Sequence, residues 1–180
     1  MFYKLLGLAF STYVATKLNI KTPSQNLAQS FFDHVFKDKV SEPAIGSVVS
    51  CDLAAGQGDH TGIYIGKHRI VHLNGDGLIE VVSPAQFINR LGGFNTAMSI
   101  YVSCNNGVSV GSRLAAERAI SMIGSRRNYG FLMDNCHQFT AGCLTGDFEN
   151  SCNFFNFLKD EARESIGCTE WRIWDTDSLS

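Results

Sequence analysis

His60 and His72 stand twelve positions apart in the stretch Gly58-Asp59-His60-Thr61-Gly62-Ile63-Tyr64-Ile65-Gly66-Lys67-His68-Arg69-Ile70-Val71-His72. Further along comes Asp134-Asn135-Cys136-His137-Gln138-Phe139. A cysteine thiol is a weak nucleophile until a base takes its proton or its surroundings favour thiolate. Asp134 or Asn135 is a good N-cap, which places Cys136 in the first turn of a helix. Unpaired N–H groups and the dipole there favour thiolate, and a backbone N–H at that end could meet a developing oxyanion. A neutral His60 would take the thiol proton and later give it to a leaving group. His72 would hold the tautomer and orientation of His60, the part played by the third member of a triad.

Each residue alone has a plainer role. A lone cysteine is more often a small buried hydrophobe, and a lone strand histidine is more often structural. The reading rests on their convergence. His60, His72, Cys136 and His137 also have ligand chemistry for zinc, but no pair shows metal-like local spacing, so no metal and no cofactor is expected. Asn135, His137 and Gln138 flank the thiol as supporting residues. Gln138 could donate a hydrogen bond in the site or serve capping and packing. Tyr64, on the same face as His60, and Tyr129 are pocket-lining or packing residues. Cys143 and the phenylalanines 154, 155 and 157 read as core.

The elements that must position these groups follow from pattern. Thr22-Pro23 opens a helix that carries Leu27, Phe31, Phe32, Val35 and Phe36 and ends near Lys37–Lys39. From Ile45 the period changes to strands, at 46–53, 60–65, 69–73 and 78–82, with hairpin punctuation at Gly66-Lys67-His68 and Asp76-Gly77. An odd-length loop at Gly66–His68 sets residue 62 opposite 72 and residue 60 opposite 74, so His60 and His72 share a face, diagonally adjacent. An even loop would put them on opposite faces. Ser83-Pro84-Ala85-Gln86 is a capping box for a helix that stops at Gly92-Gly93. Residues 97–102 form a buried strand. Ser112 caps an alanine-rich helix ending at Gly124, a helix runs from Asp134-Asn135 to Leu144, and a last one spans Ser151–Ser165. The tail from Asp175 is free to move. Strands in one block flanked by helices predict an α+β fold with an antiparallel sheet packed with helices.

The chain has 180 residues, 44% apolar and 18% charged, with a net charge of −2. That suits one folded domain and argues against nucleic acid, which calls for a basic face. Its six cysteines show no Cys-x-x-Cys and read as reduced thiols, since a chain this long needs no staples. The apolar run at the N-terminus is too short and too interrupted to span a membrane. It also lacks a clean signal-cleavage site. A helix packing on the domain is the expectation, with a helix on a membrane surface as the alternative.

The segments His60-Thr61-Gly62-Ile63-Tyr64-Ile65-Gly66, Ile70-Val71-His72-Leu73 and Asn135-Cys136-His137-Gln138-Phe139 resemble the lecithin retinol acyltransferase-like family. Its pattern is His-x-x-Ile-Tyr-Val-Gly, a Val-His-Leu strand, and Asn-Cys-x-x-Phe. The resemblance covers roughly residues 45–146. It implies a circularly permuted papain-like (NlpC/P60) fold, with His60 as general base, His72 as third polar residue and Cys136 carrying an acyl thioester. It also implies an acyltransferase or hydrolase acting on a lipid or other small acyl ester; the reduced cysteines predict a cytoplasmic protein, and the N-terminal helix leaves peripheral membrane contact as the alternative. The chain departs from the vertebrate pattern at Thr61, at His137-Gln138 and in its polar C-terminus, which leaves the substrate open. A papain-like peptidase or amidase is the first alternative, and a non-catalytic binding module of the same fold the second. On this reading residues 1–42 are a helical extension, 43–146 the catalytic domain, and 147–180 a C-terminal helix and tail packed on it.

Overall fold

The computed structural model describes residues 39–52, 59–89, 99–128 and 135–176. The helix expected after Thr22-Pro23, most of the 1–42 extension, Tyr129 and Asp134 lie outside these residues. In chain order the elements are β1 (Lys39–Val40), β2 (Val48–Asp52), β3 (Asp59–Tyr64), β4 (Ile70–Leu73), β5 (Ile79–Val82), α1 (Pro84–Asn89), β6 (Tyr101–Asn105), β7 (Val108–Ser109), α2 (Arg113–Ser121), α3 (Cys136–Thr145), α4 (Phe155–Ile166) and β8 (Glu170–Trp174). No helix among the described residues is long and apolar enough to cross a membrane.

The strands form one curled sheet in the order β1-β8-β6-β2-β3-β4-β5, with β7 added beside β6. The α+β class expected from the pattern holds, but the sheet is mixed rather than antiparallel. The exception is β1, which pairs parallel with β8. One expectation is corrected with it: Lys39 and Val40 form a strand rather than the end of a helix. Residues 170–174, to which the pattern assigned no element, are an internal strand of the sheet. The last helix begins at Phe155, four residues later than expected, because Ser151–Asn153 run non-helically into a Phe154 cap that makes no side-chain hydrogen bond.

The β3–β4 hairpin has the register that an odd loop dictates. Ile63 faces Val71 and Tyr64 faces Ile70, with Ile65 and Arg69 closing a loop at Gly66, Lys67 and His68, all at positive φ. Alternation along β3 then sorts its side chains. Ile63 joins Val48, Val71, Leu73 and Ile79 under α2, α3 and α4, where Ala115, Ala119, Phe139, Leu158 and Ala162 complete an apolar layer. Tyr64 joins Val49, Cys51, Ile70, Val102 and Trp174 on the opposite face, with Phe87 of α1 packed among them. Both faces are covered, so β3 is buried from His60 to Tyr64, and its hydrophobic run loses the alternation of a half-exposed strand.

The capping box is formed: Ser83 N–H donates to Gln86 Oε1 at 2.9 Å, and Gln86 N–H to Ser83 Oγ at 3.3 Å. It fixes the short helix that delivers Phe87 to the sheet. Ser112 caps α2, its Oγ accepting from Ala115 N–H.

Candidate active site

His60 is fully buried and His72 is 2% exposed. Their ring nitrogens, His60 Nε2 and His72 Nδ1, are 2.8 Å apart, and the rings meet edge to face. Phe87 packs against both, with centroids 4.9 Å from His60 and 5.8 Å from His72. The pair therefore sits in a dry, aromatic-walled setting in which a polar contact gains strength and a lost one is costly. Gly62, between His60 and Tyr64, lets the two strands come this close. A Cβ there would meet Val71 O at 2.7 Å and Ile70 Cγ2 at 2.8 Å.

Cys136 opens α3 and is 4% exposed. Its Sγ lies 4.0 Å from the carbonyl oxygen of Asp59, the residue before His60. The helix start is locked by Asn135, whose Oδ1 accepts from the N–H groups of His137 at 3.0 Å and Gln138 at 3.1 Å. Those two N–H groups are thereby unavailable to an oxyanion. Asn135 Nδ2 in turn donates to Asn153 O at 2.8 Å. At the other end Gly146 closes the helix in the left-handed region, and Arg118 of α2 donates to the carbonyls of Cys143 and Leu144 at 3.0 and 2.7 Å. Both helix ends are satisfied.

The thiols differ in their surroundings. None of the six cysteines is joined in a disulfide. Burial pushes Cys104 up to about 11 and Cys143 well above the ordinary thiol range. Burial also raises Cys152, aided by the Glu161 and Asp160 carboxylates, and Cys168. Those four are held as neutral thiols, poor nucleophiles. Cys136 alone among the six starts a helix.

The supporting residues divide. His137 lies on the α3 side of β3, its Nδ1 3.2 Å from Thr61 Oγ1 and its ring stacked on Phe155. Burial lowers it to about 4, so it is a neutral packing residue away from the His60 face. Gln138 Nε2 donates to Asn150 O, and Asn150 Nδ2 returns a bond to Gln138 O at 3.0 Å; the side chain clamps the 147–153 loop to α3. Tyr64 shares the His60 face, but its hydroxyl donates to Glu42 at 2.7 Å and its ring packs on Trp174. Burial and the Glu42 bond push it up to about 12. Phe157, expected in the core, is 51% exposed.

One charged neighbour had not been singled out. Glu80, paired with His72 across β4 and β5, brings Oε1 to 3.5 Å from His72 Nε2. The sequence carries the signal: an odd loop at Gly75–Gly77 sets residue 72 opposite 80, as the odd loop at Gly66–His68 sets 62 opposite 72. Among the described residues no group of three His, Cys, Asp or Glu side chains has the arrangement of a metal site. Neither a family model nor a curated protein matches the chain.

Proposed function

We propose that the protein is a thiol-dependent acyl-transfer enzyme in which Cys136 is the nucleophile, His60 the base and His72 the residue that orients it. The observation that carries this is the buried His60–His72 contact at the end of β3 where Cys136 begins α3. The helix packs on the Thr61 side of the strand while His60 projects from the other. What supports bringing the thiol to the imidazole is the 4.0 Å approach of Cys136 Sγ to the carbonyl oxygen of Asp59, the residue next to His60 at the start of the strand.

The chemistry balances with these groups alone. His60 Nε2 is engaged by His72, so proton exchange with Cys136 falls to Nδ1. The thiolate attacks the acyl carbonyl carbon, and the collapsing tetrahedral intermediate expels an alcohol that takes the proton from His60 Nδ1. The acyl group remains as a thioester on Cys136. Water or an acceptor hydroxyl or amine then gives a proton to His60, attacks the thioester and releases the thiol. The resemblance to lecithin retinol acyltransferase-like proteins, and through them to a permuted papain-like fold, supports a lipid or other small acyl ester as substrate.

The test is intact-mass spectrometry after exposure to a p-nitrophenyl acyl ester. The wild-type protein should gain one acyl mass on Cys136, and Cys136→Ala and His60→Ala should gain none. Equal acylation of wild type and both variants overturns the mechanism. A wild-type protein that reacts with peptide amides and not with lipid esters would transfer the same residues to a peptidase. A Cys136 thiol that alkylates no faster than free cysteine would favour a binding module.

A further inference from the structure

Given that catalytic reading, we infer that Glu80 is a positioning residue which, acting through His72, decides which nitrogen of His60 is basic. The β4–β5 register sets Glu80 opposite His72, and Glu80 Oε1 lies 3.5 Å from His72 Nε2. Asn74 Nδ2 donates to the same oxygen at 2.8 Å, and Asn74 itself is fixed because its Oδ1 accepts from Asp76 N–H and Leu78 N–H in the hairpin turn. The carboxylate is thus held in place by its own hairpin.

A carboxylate accepts and cannot donate. A lone pair on His72 Nε2 facing it would be repelled, so the proton of neutral His72 belongs on Nε2. That makes His72 Nδ1 an acceptor. His60 Nε2, 2.8 Å away, must then be the donor, which leaves the lone pair of neutral His60 on Nδ1, the nitrogen the thiol needs. One partly exposed carboxylate therefore fixes two tautomers in succession. When His60 takes the Cys136 proton, its Nε2–H still donates to His72, and the Glu80 charge stabilises the imidazolium across the intervening ring. Glu80 itself gains no proton. Among the described residues, the other titratable groups adjoining the pair are Asp59 beside His60 on β3 and Cys51 opposite His60 on β2, whose thiol lies 3.8 Å from Phe87 O, while Cys136 of α3 approaches the carbonyl of Asp59. The side of the pair facing α1 presents Phe87, which carries no charge.

The experiment is long-range ¹H–¹⁵N NMR of the imidazoles, with p-nitrophenyl acetate hydrolysis followed against pH, on wild type, Glu80→Gln and Glu80→Asp. Glu80→Gln keeps an oxygen for Asn74 and removes only the charge. In wild type both His60 and His72 should carry their neutral-state proton on Nε2. In Glu80→Gln the His60 midpoint and the alkaline limb of hydrolysis should both fall by about one pH unit, and Glu80→Asp should restore most of that. A wild-type His72 protonated on Nδ1 overturns the assignment. So does a His60 midpoint that Glu80→Gln leaves in place, including one below about pH 5 in both proteins. If wild type fails to hydrolyse the ester while the tautomers and the midpoint behave as stated, the catalytic reading fails and the electrostatic one stands. If wild type hydrolyses it with a pH profile that Glu80→Gln does not move, only the role of Glu80 fails. Should Glu80→Gln not fold, the wild-type tautomers decide: a neutral His72 protonated on Nε2 supports the role and one protonated on Nδ1 overturns it.

Discussion

An alanine at position 62 would set its Cβ 2.7 Å from the carbonyl oxygen of Val71 and 3.2 Å from Cβ of His72. Backbone cannot yield as a flexible side chain does, so β4 would have to draw away from β3, taking His72 from His60. Gly62→Ala should therefore cost about 1–3 kcal/mol of stability, as overpacking generally does. It should also cut Cys136 acylation at least about tenfold, since each 1.4 kcal/mol of lost transition-state stabilisation is a factor of ten. Gly75→Ala is the control, because nothing lies within 4 Å of its Cβ, and it should change neither quantity. Urea denaturation and the p-nitrophenyl ester assay measure both; equal behaviour of the two variants would sink the argument. At this scale the sequence was informative wherever a role is set by near neighbours. The cofacial histidines came from loop length, and the cap at Asn135 from residue type. Roles set by distant chain were not legible. His137 is turned away from His60 only because α3 packs on the Thr61 side of β3, and Tyr64 is spent on Glu42, a residue from before the first long strand.

Helix α3 carries its chemistry at one end and its anchorage along its length. Asn135 and Arg118 satisfy its two termini, and His137 ties it to Thr61 and Phe155. Burial holds folded His137 at about 4, against an ordinary value of 6.5. Between those pH values the unfolded chain binds a proton that the folded chain refuses, so stability is full above pH 6.5 and falls as pH drops toward 4. The loss should reach about 3 kcal/mol. His137→Asn keeps a polar atom for Thr61 and does not titrate. Its stability should be lower at neutral pH, through the lost stacking on Phe155, but should decline less on acidification. Parallel profiles for wild type and variant in urea denaturation across this range would contradict that origin. The same element shows why helix boundaries were unevenly readable. The start of α3 and the box before α1 have side chains that bond to their own helix ends. The start of α4 has none, since Phe154 offers no cap, and its boundary is set instead by Phe155 packing on Trp171 and His137.

Across the whole molecule, the sheet is completed by a strand from the chain's end, and this was the least legible part of the fold. Glu170-Trp171-Arg172-Ile173-Trp174 has the aromatic and β-branched residues of a strand, yet it is short, half polar and followed by a polar tail. Only its neighbours reveal it: β6 on one side, antiparallel, and the two-residue β1 on the other. A two-residue strand has no period to read, so the parallel pairing that makes the sheet mixed could not have come from pattern. Trp174 is where this long-range closure is concentrated. It is 1% exposed, its Nε1 donates to Ser41 O at 3.2 Å, and its ring meets Tyr64 at 5.2 Å and His68 at 6.2 Å. One side chain thus joins β8 to β1 and to the β3–β4 hairpin that presents the histidines. Trp174→Ala should cost about 3–5 kcal/mol, the range for a buried aromatic. Because the hairpin loses its backing, exposure of Cys136 to alkylation and loss of far-ultraviolet ellipticity should share one urea midpoint, lowered together. Phe157→Ala, at an exposed aromatic, should stay within about 0.5 kcal/mol of wild type. A Trp174→Ala protein within about 1 kcal/mol of wild type would mean that β8 decorates the sheet rather than closing it. The 147–180 segment would then be an appendage to the unit that carries the site, not a component of it.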